Sequence, residues 1–218
     1  MATEQPAPAE DLTGRARIRD AALRVFAEQG VKGATVQLIA AAAGVSTGLI
    51  RHHFGSKDGL RRACDEYAIG TLLHQARRAL DEDTAAPGFL DSMYRASGAG
   101  TRYLARALVE GSPAAAELFD TGAALAERFL SDHDPDRFPP GAAATRDAAA
   151  VMGAMQLSTL ALHTHIGRRM GVDPLDPAHA PRLVAAMVGV SSAMAAFLSG
   201  ERGRPISDAS PTPHEERP

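Results

Sequence analysis

Apolar positions recur every three or four residues through most of the chain. Over residues 15–28, RARIRDAALRVFAE, Ile18, Ala21, Ala22, Val25 and Phe26 fall on one helical face and arginines on the other. Gln29 and Gly30 close that helix. Thr35 is a good N-cap for a short second helix, whose stripe of Val36, Ile39, Ala40 and Ala43 ends at Gly44. Ser46 caps a third helix that reaches about Phe54. Gly55 and Ser56 interrupt it, and Ser56 caps a fourth, predicted from about Lys57 to Leu80. Beyond Asp83, Ala and Leu dominate. Breaks at TAAPG, GSPA, SDHDPDRFPPG and GVDPLDPAHAP leave helices near 87–97, 100–110, 113–131, 142–170 and 178–199. No useful stretch alternates with period two. The pattern predicts an all-α fold of about nine helices, with a three-helix head at residues 14–60 on a larger helical body at 61–200. Residues 1–13 and 201–218, polar and Pro-bearing, read as a disordered arm and tail.

At 218 residues and 45% hydrophobic, the chain can bury a core for one large domain or two small ones. The N-terminus, MATEQPAPAEDL, lacks the apolar centre of a signal peptide, and a cytoplasmic location is expected. The longest nearly apolar run, Leu183 to Leu198, falls short of the roughly 20 residues a bilayer requires and contains Ser191 and Ser192, so no membrane span is predicted. A single cysteine, Cys64, rules out an intrachain disulfide and a Cys-based zinc site, and its expected role is packing. His163 and His165, two apart on a helix, diverge by about 200° and do not suit one metal ion. Paired carboxylates on one helix, a phosphate loop and a Ser/His/Asp order are all missing, so the reading is of a non-enzyme without cofactor.

The net charge of −3 conceals an asymmetry. Residues 14–64 carry nine Lys or Arg against three Asp or Glu, a local balance of +6 that leaves −9 for the rest. A basic head on an acidic body is the electrostatic footprint of a nucleic-acid-binding module. The alternative is a helical module whose basic head contacts a protein; retention on DNA with a steep salt slope distinguishes the two.

Helix, tight Gly turn, helix is the arrangement in which the second helix enters the DNA major groove while the first crosses the backbone. Here residues 35–43 form the first and 46–54 the reader. Helical spacing puts Thr47, Gly48, Arg51 and His52 on one side, with Ile50 and Phe54 free to face the core. Gly48 permits close approach, and the free amides at the start of the reader can hold a phosphate. Lys57 can neutralise a neighbouring phosphate. Thr35 and Ser46 suit capping as well as DNA contact, and His53, beside Phe54, suits packing as well as phosphate.

The segment TVQLIAAAAGVSTGLIRHHFGSKDGL, residues 35–60, preceded by an amphipathic helix ending VFAEQG, resembles the TetR family of bacterial transcriptional repressors. The resemblance covers about a quarter of the chain and rests on the spacing from Thr35 through Gly44, Gly48 and Phe54 to Lys57. It implies a helix-turn-helix head on a dimerising, ligand-binding helical body. By position it assigns phosphate contacts to Thr35, His53 and Lys57, and base or mixed contacts to Gln37, Thr47, Gly48, Arg51 and His52. Where many members carry Tyr, this chain has Arg51, whose guanidinium can grip a guanine or two phosphates.

In the body, Met152, Met155, Gln156, Thr159 and His163 form a stripe mixing soft apolar and polar groups. It suits either a ligand-cavity wall or a core face, with Met93, Tyr94, Tyr103 and Phe119 as the opposite wall. A mostly apolar cavity suits a hydrophobic or aromatic effector. Val184, Met187, Val188, Ser191, Ala195 and Leu198 form an apolar stripe with small residues. With the outer side of the 142–170 helix it makes the four-helix homodimer interface that the resemblance implies. The function expected is a homodimeric regulator, most simply a repressor released from a palindromic operator by its effector.

Overall fold

A computed structural model describes residues 9–81 and 98–202, with side chains from 13 to 78 and from 98 to 202. The helix predicted near 87–97, with Met93 and Tyr94, lies outside the described residues. Those described form helices joined by turns, with no strand among them. They are α1 (Ala9–Gly33), α2 (Val36–Ala43), α3 (Thr47–Phe54), α4 (Lys57–Asp81), α5 (Gly98–Glu110), α6 (Pro113–His133), α7 (Ala143–Ala161), α8 (His163–Met170) and α9 (Ala180–Ser199).

The boundaries follow local chemistry. α1 reaches back to Ala9, into the stretch read as an arm, and is broken at Gly30, whose φ of 72° and ψ of 164° are non-helical. Thr35 caps α2 by accepting from the Leu38 amide at 3.1 Å. Gly44, at φ 65°, closes that helix in the left-handed region, and the Val45 amide returns to the Ala40 carbonyl at 3.0 Å. Ser46 caps α3 through the Leu49 amide at 3.2 Å, and Ser56 caps α4 through the Gly59 amide at 3.0 Å.

One core runs through head and body. Ile18, Phe26, Ile39, Ile50 and Leu60 are essentially buried and belong to the same cluster as Leu104 and Leu118 from the body. α4 supplies Leu60, Cys64 and Ala68, four residues apart and therefore on one face, so it is part of both halves. α1 packs along α5, and Arg106 of α5 donates to the Glu28 carbonyl at 3.2 Å. α6 and α7 pack closely, and a side chain at Gly153 would meet the Ala123 backbone at 3.7 Å.

Two further features differ from the pattern-based expectation. The single helix predicted at 142–170 is two, broken at Leu162 (φ −101°, ψ 14°). Just before the break, Ser158 and Thr159 donate their hydroxyls to the Met155 and Gln156 carbonyls, at 2.7 and 2.8 Å, and His163 Nδ1 lies 2.8 Å from the Leu160 carbonyl. Side chains that bond back to the preceding turn compete with the backbone ladder and bend a helix. The second is α9: at 20 residues it is long and apolar enough to cross a membrane by length and composition, whereas the nearly apolar run within it, Leu183 to Leu198, is shorter than a bilayer requires.

Candidate nucleic-acid interface and effector cavity

α3 is held from behind. Ile50 is 1% exposed in the core, and Leu49 and Phe54 pack against the same cluster. The opposite face carries Thr47, Gly48, Arg51 and His52, all exposed; Ser46 is exposed at the turn, and Thr35 and Gln37 are exposed at the start of α2. All seven positions are open to solvent. Ser46 and Thr35 both spend their hydroxyls as caps, which fixes where each helix begins. The Leu49 amide is satisfied by Ser46, while the Thr47 and Gly48 amides belong to the first helical turn, whose N–H groups have no intrahelical acceptor and suit an anion.

His53 and Lys57 sit differently. His53 is half-buried; its Nε2 lies 3.6 Å from where a side chain on Gly14 of α1 would stand, and its ring meets Phe54 edge-on at 6.1 Å. Lys57 donates to the Val31 and Ala34 carbonyls at 2.9 and 3.0 Å. Its ammonium therefore pins the link between α1 and α2, with two of its three N–H groups engaged.

Several residues on which this surface depends escaped the sequence reading. Arg17 of α1 donates to the Ala43 carbonyl at 2.8 Å and so holds the C-terminus of α2. At Gly59 a Cβ would stand 2.0 Å from the Phe54 carbonyl oxygen, so the exit of α3 fits against α4 only with glycine there. A glycine three residues into a helix, after a Ser cap, was the available signal. Deeper in, Tyr103 of α5 donates its hydroxyl to Asp65 of α4, and Arg61 reaches the same carboxylate at 3.2 Å. Burial pushes the Asp65 carboxyl up from its usual range against the lowering pull of these partners, and burial with the neighbouring carboxylate pushes the Tyr103 phenol up.

A cavity of about 430 Å3 opens between α4, α6 and α7. Leu73 and Ala76 of α4, Leu118 and Phe129 of α6, and Met152 and Gln156 of α7 are among its walls, and no described wall residue is ionisable. Of the predicted ligand residues that are described, only Met152 and Gln156 line it. Met155 is 59% exposed on the far side of α7, and Thr159 and His163 are committed to backbone carbonyls at the α7–α8 break. The wall is the face of Met152, Gly153, Gln156, Leu157 and Leu160, a few tens of degrees round the helix from the predicted stripe. Tyr103 is buried against Phe26 at the junction of head and body, and Leu118 takes the place foreseen for Phe119.

Val184, Met187, Val188, Ser191, Ala195 and Leu198 lie on α9, where Val188, Val190, Met194 and Phe197 are more than half exposed. Val151, Met155 and Leu162 add further exposed apolar surface from α7 and its end.

The motif that orders this surface has relatives. Residues 18–64 match the model for bacterial regulatory proteins of the tetR family. The HTH-type transcriptional regulatory protein RaaS of Mycobacterium tuberculosis is 37% identical over 123 residues, 56% of this chain and 58% of that protein. The HTH-type transcriptional regulator BetI of Burkholderia mallei is 37% identical over 73 residues, 34% of this chain and 37% of that protein. The chain therefore spans less than two thirds of the length of either. The multidrug binding protein EbrR, solved in complex with imidazole, aligns over 73% of this chain and 87% of its own at 24% identity, with a TM-score of 0.44. The capped helix-turn-helix head of this chain, residues 18–64, is thus a DNA-binding domain of the kind found in bacterial regulatory proteins of the tetR family.

Proposed function

We propose that two copies of this chain form a cytoplasmic dimer that binds a palindromic operator through paired α3 helices and represses transcription until a small apolar effector fills the cavity beside α4. The observation that carries this reading is the exposed surface of Gln37, Thr47, Gly48, Arg51 and His52 on helices whose other side is locked into the core. Polar groups at the reader's tip and the +6 balance over residues 14–64 fit a major groove flanked by phosphates. The transcriptional regulators RaaS and BetI, each 37% identical to this chain over the stretch they share with it, support it.

Dimerisation is supported by α9. A helix with Val188, Val190, Met194 and Phe197 in water is costly, at about 25 cal/mol per Å2 of apolar surface left uncovered. A second copy of α9, with the outer face of α7, would cover it in a four-helix arrangement. Gly189, Ser191 and Ser192 allow close helix approach. One small head also makes too few contacts for tight, specific binding, whereas two heads read a palindrome.

Release is supported by α4, which lines the cavity with Leu73 and Ala76 and, some twenty residues earlier, abuts α3 and holds Val31 and Ala34 through Lys57. An effector that binds one head spacing better than the other shifts the population towards it. The test is a mobility-shift titration on the DNA adjoining the gene, with light-scattering mass in parallel. A salt-sensitive, sequence-specific shift by a dimer is expected. Binding that is absent or indifferent to sequence refutes the operator reading, and a monomer, or a protein found only with membranes, refutes the role given to α9.

A further inference from the structure

A second cavity, of about 360 Å3, lies on the side of α4 that faces α1 and α5. Its walls differ in kind from those of the apolar cavity. Arg24 of α1, Thr71 and Gln75 of α4, and Thr101 of α5 bring hydrogen-bonding groups to it, together with Leu23 and Leu72. Gln75 is 8% exposed, and among the described residues its Nε2 has no hydrogen-bond partner. A buried donor left unmade costs about 1–3 kcal/mol, and such atoms are uncommon in folded proteins. An unmatched amide facing a polar cavity is the mark of a site whose acceptor comes from outside the chain.

Leu72 lines both cavities. On α4, Thr71 and Gln75 are four apart and share a face, while Leu72 and Ala76 form the neighbouring row. The polar and apolar compartments therefore flank one helix with Leu72 as their common wall. Asp20, the carboxylate lining the polar compartment, is held by Arg19 at 2.8 Å, and Arg24 leaves a cation at the rim.

We infer that the effector is an amphiphile, with an oxygen-bearing, hydrogen-bond-accepting head held by Gln75 Nε2 between Thr71 and Thr101, and an apolar tail that crosses Leu72 into the cavity of Leu118, Phe129 and Met152. This rests on the effector reading above and names its ligand class. Cationic amphiphiles are disfavoured, because an ammonium offers donors to a donor and meets Arg24.

The test uses the full chain and three probes in titration calorimetry: decanoic acid, decylamine and the neutral fluorophore N-phenyl-1-naphthylamine. The wild type should bind decanoic acid at least tenfold more tightly than decylamine. Gln75→Met, close in volume, should lose about tenfold for decanoic acid, keep its naphthylamine affinity, and melt no lower than the wild type, since it removes an unmatched donor. Gln75→Glu should reverse the preference between acid and amine. Equal affinity of Gln75→Met and wild type for decanoic acid overturns the inference. So does a lower melting point with loss of both probes, which would make Gln75 a structural residue. If the wild type binds the naphthylamine but not decanoic acid, the inference falls and the effector cavity stands; if it binds neither, the effector reading falls as well.

Discussion

Replacing Gly48 by alanine separates what the reader helix needs to fold from what it needs to touch DNA. Gly48 is exposed, one residue into α3, and a Cβ there would meet only Ser46 Oγ, at an ordinary 3.7 Å. Nothing in the fold opposes the methyl. Alanine also lowers the entropy of the unfolded chain and favours the helix, so Gly48→Ala should stabilise by about 0.5–1 kcal/mol. For a protein of this size that raises Tm by about 1–4 °C. Against DNA the same methyl stands in front of the first-turn amides of Thr47 and Gly48. Moving a phosphate oxygen away from them forfeits a hydrogen bond to a charged group, worth about 1.5–3 kcal/mol. Operator affinity should fall about 10- to 100-fold, a loss of roughly 1.4–2.8 kcal/mol. Chemical denaturation gives the first quantity and fluorescence anisotropy on a labelled operator, at fixed salt, gives the second. A variant that is more stable and binds DNA as well as the wild type refutes the placement of Gly48 against the duplex. A destabilised variant refutes the open space described around it.

Three further outcomes follow from neighbouring contacts. Gly59→Ala should be destabilised by about 2–4 kcal/mol, because a Cβ 2.0 Å from the Phe54 carbonyl oxygen forces backbone movement that outweighs the ~1 kcal/mol helix preference for alanine; an unchanged urea midpoint would contradict this. Lys57→Met should cost about 1.5–3 kcal/mol of stability through the lost bonds to Val31 and Ala34, yet leave the slope of log affinity against log salt unchanged; a slope smaller by about one per head would show that Lys57 also neutralises a phosphate. Burial pushes the Cys64 thiol up to about 12, so at pH 8 it should resist a disulfide reagent in the native protein and react fully in denaturant, and rapid native labelling would show that this part of the core opens.

Asp65 adds a pH dependence of definite sign. Its carboxyl is raised on folding, so the folded state binds more protons than the unfolded one just above the ordinary Asp range. Its contribution to stability therefore declines as pH rises from that range through the raised value. Asp65→Asn should remove this decline while keeping an acceptor for Tyr103, and urea midpoints between pH 4 and 7 report it.

Much of the head was legible in the sequence because the signals are local. Thr35, Gly44, Ser46 and Gly55 act on backbone groups within five residues, so cap chemistry alone marked where the short helices begin and end. The alternation of apolar and polar positions established that α3 has a buried and an exposed side, and spacing put Thr47, Gly48, Arg51 and His52 on the latter. What only the tertiary structure decided depends on groups far apart in the chain. Lys57 reads as a free cation until its acceptors, 26 and 23 residues earlier, prove to be the bare carbonyls of Val31 and Ala34, which no side-chain pattern records. Tyr103 looks like a ligand residue until Asp65 and Phe26 close around it. On α7, periodicity showed an apolar face but not its phase, because the residues on either side of Met152 are also small or apolar and only the packing of α4 and α6 selects among them. On α9 the sequence determined an apolar helix, and the fold decided that among the described residues Val188, Val190, Met194 and Phe197 stay more than half exposed. Burial is a property of neighbours, and neighbours are chosen by the whole structure.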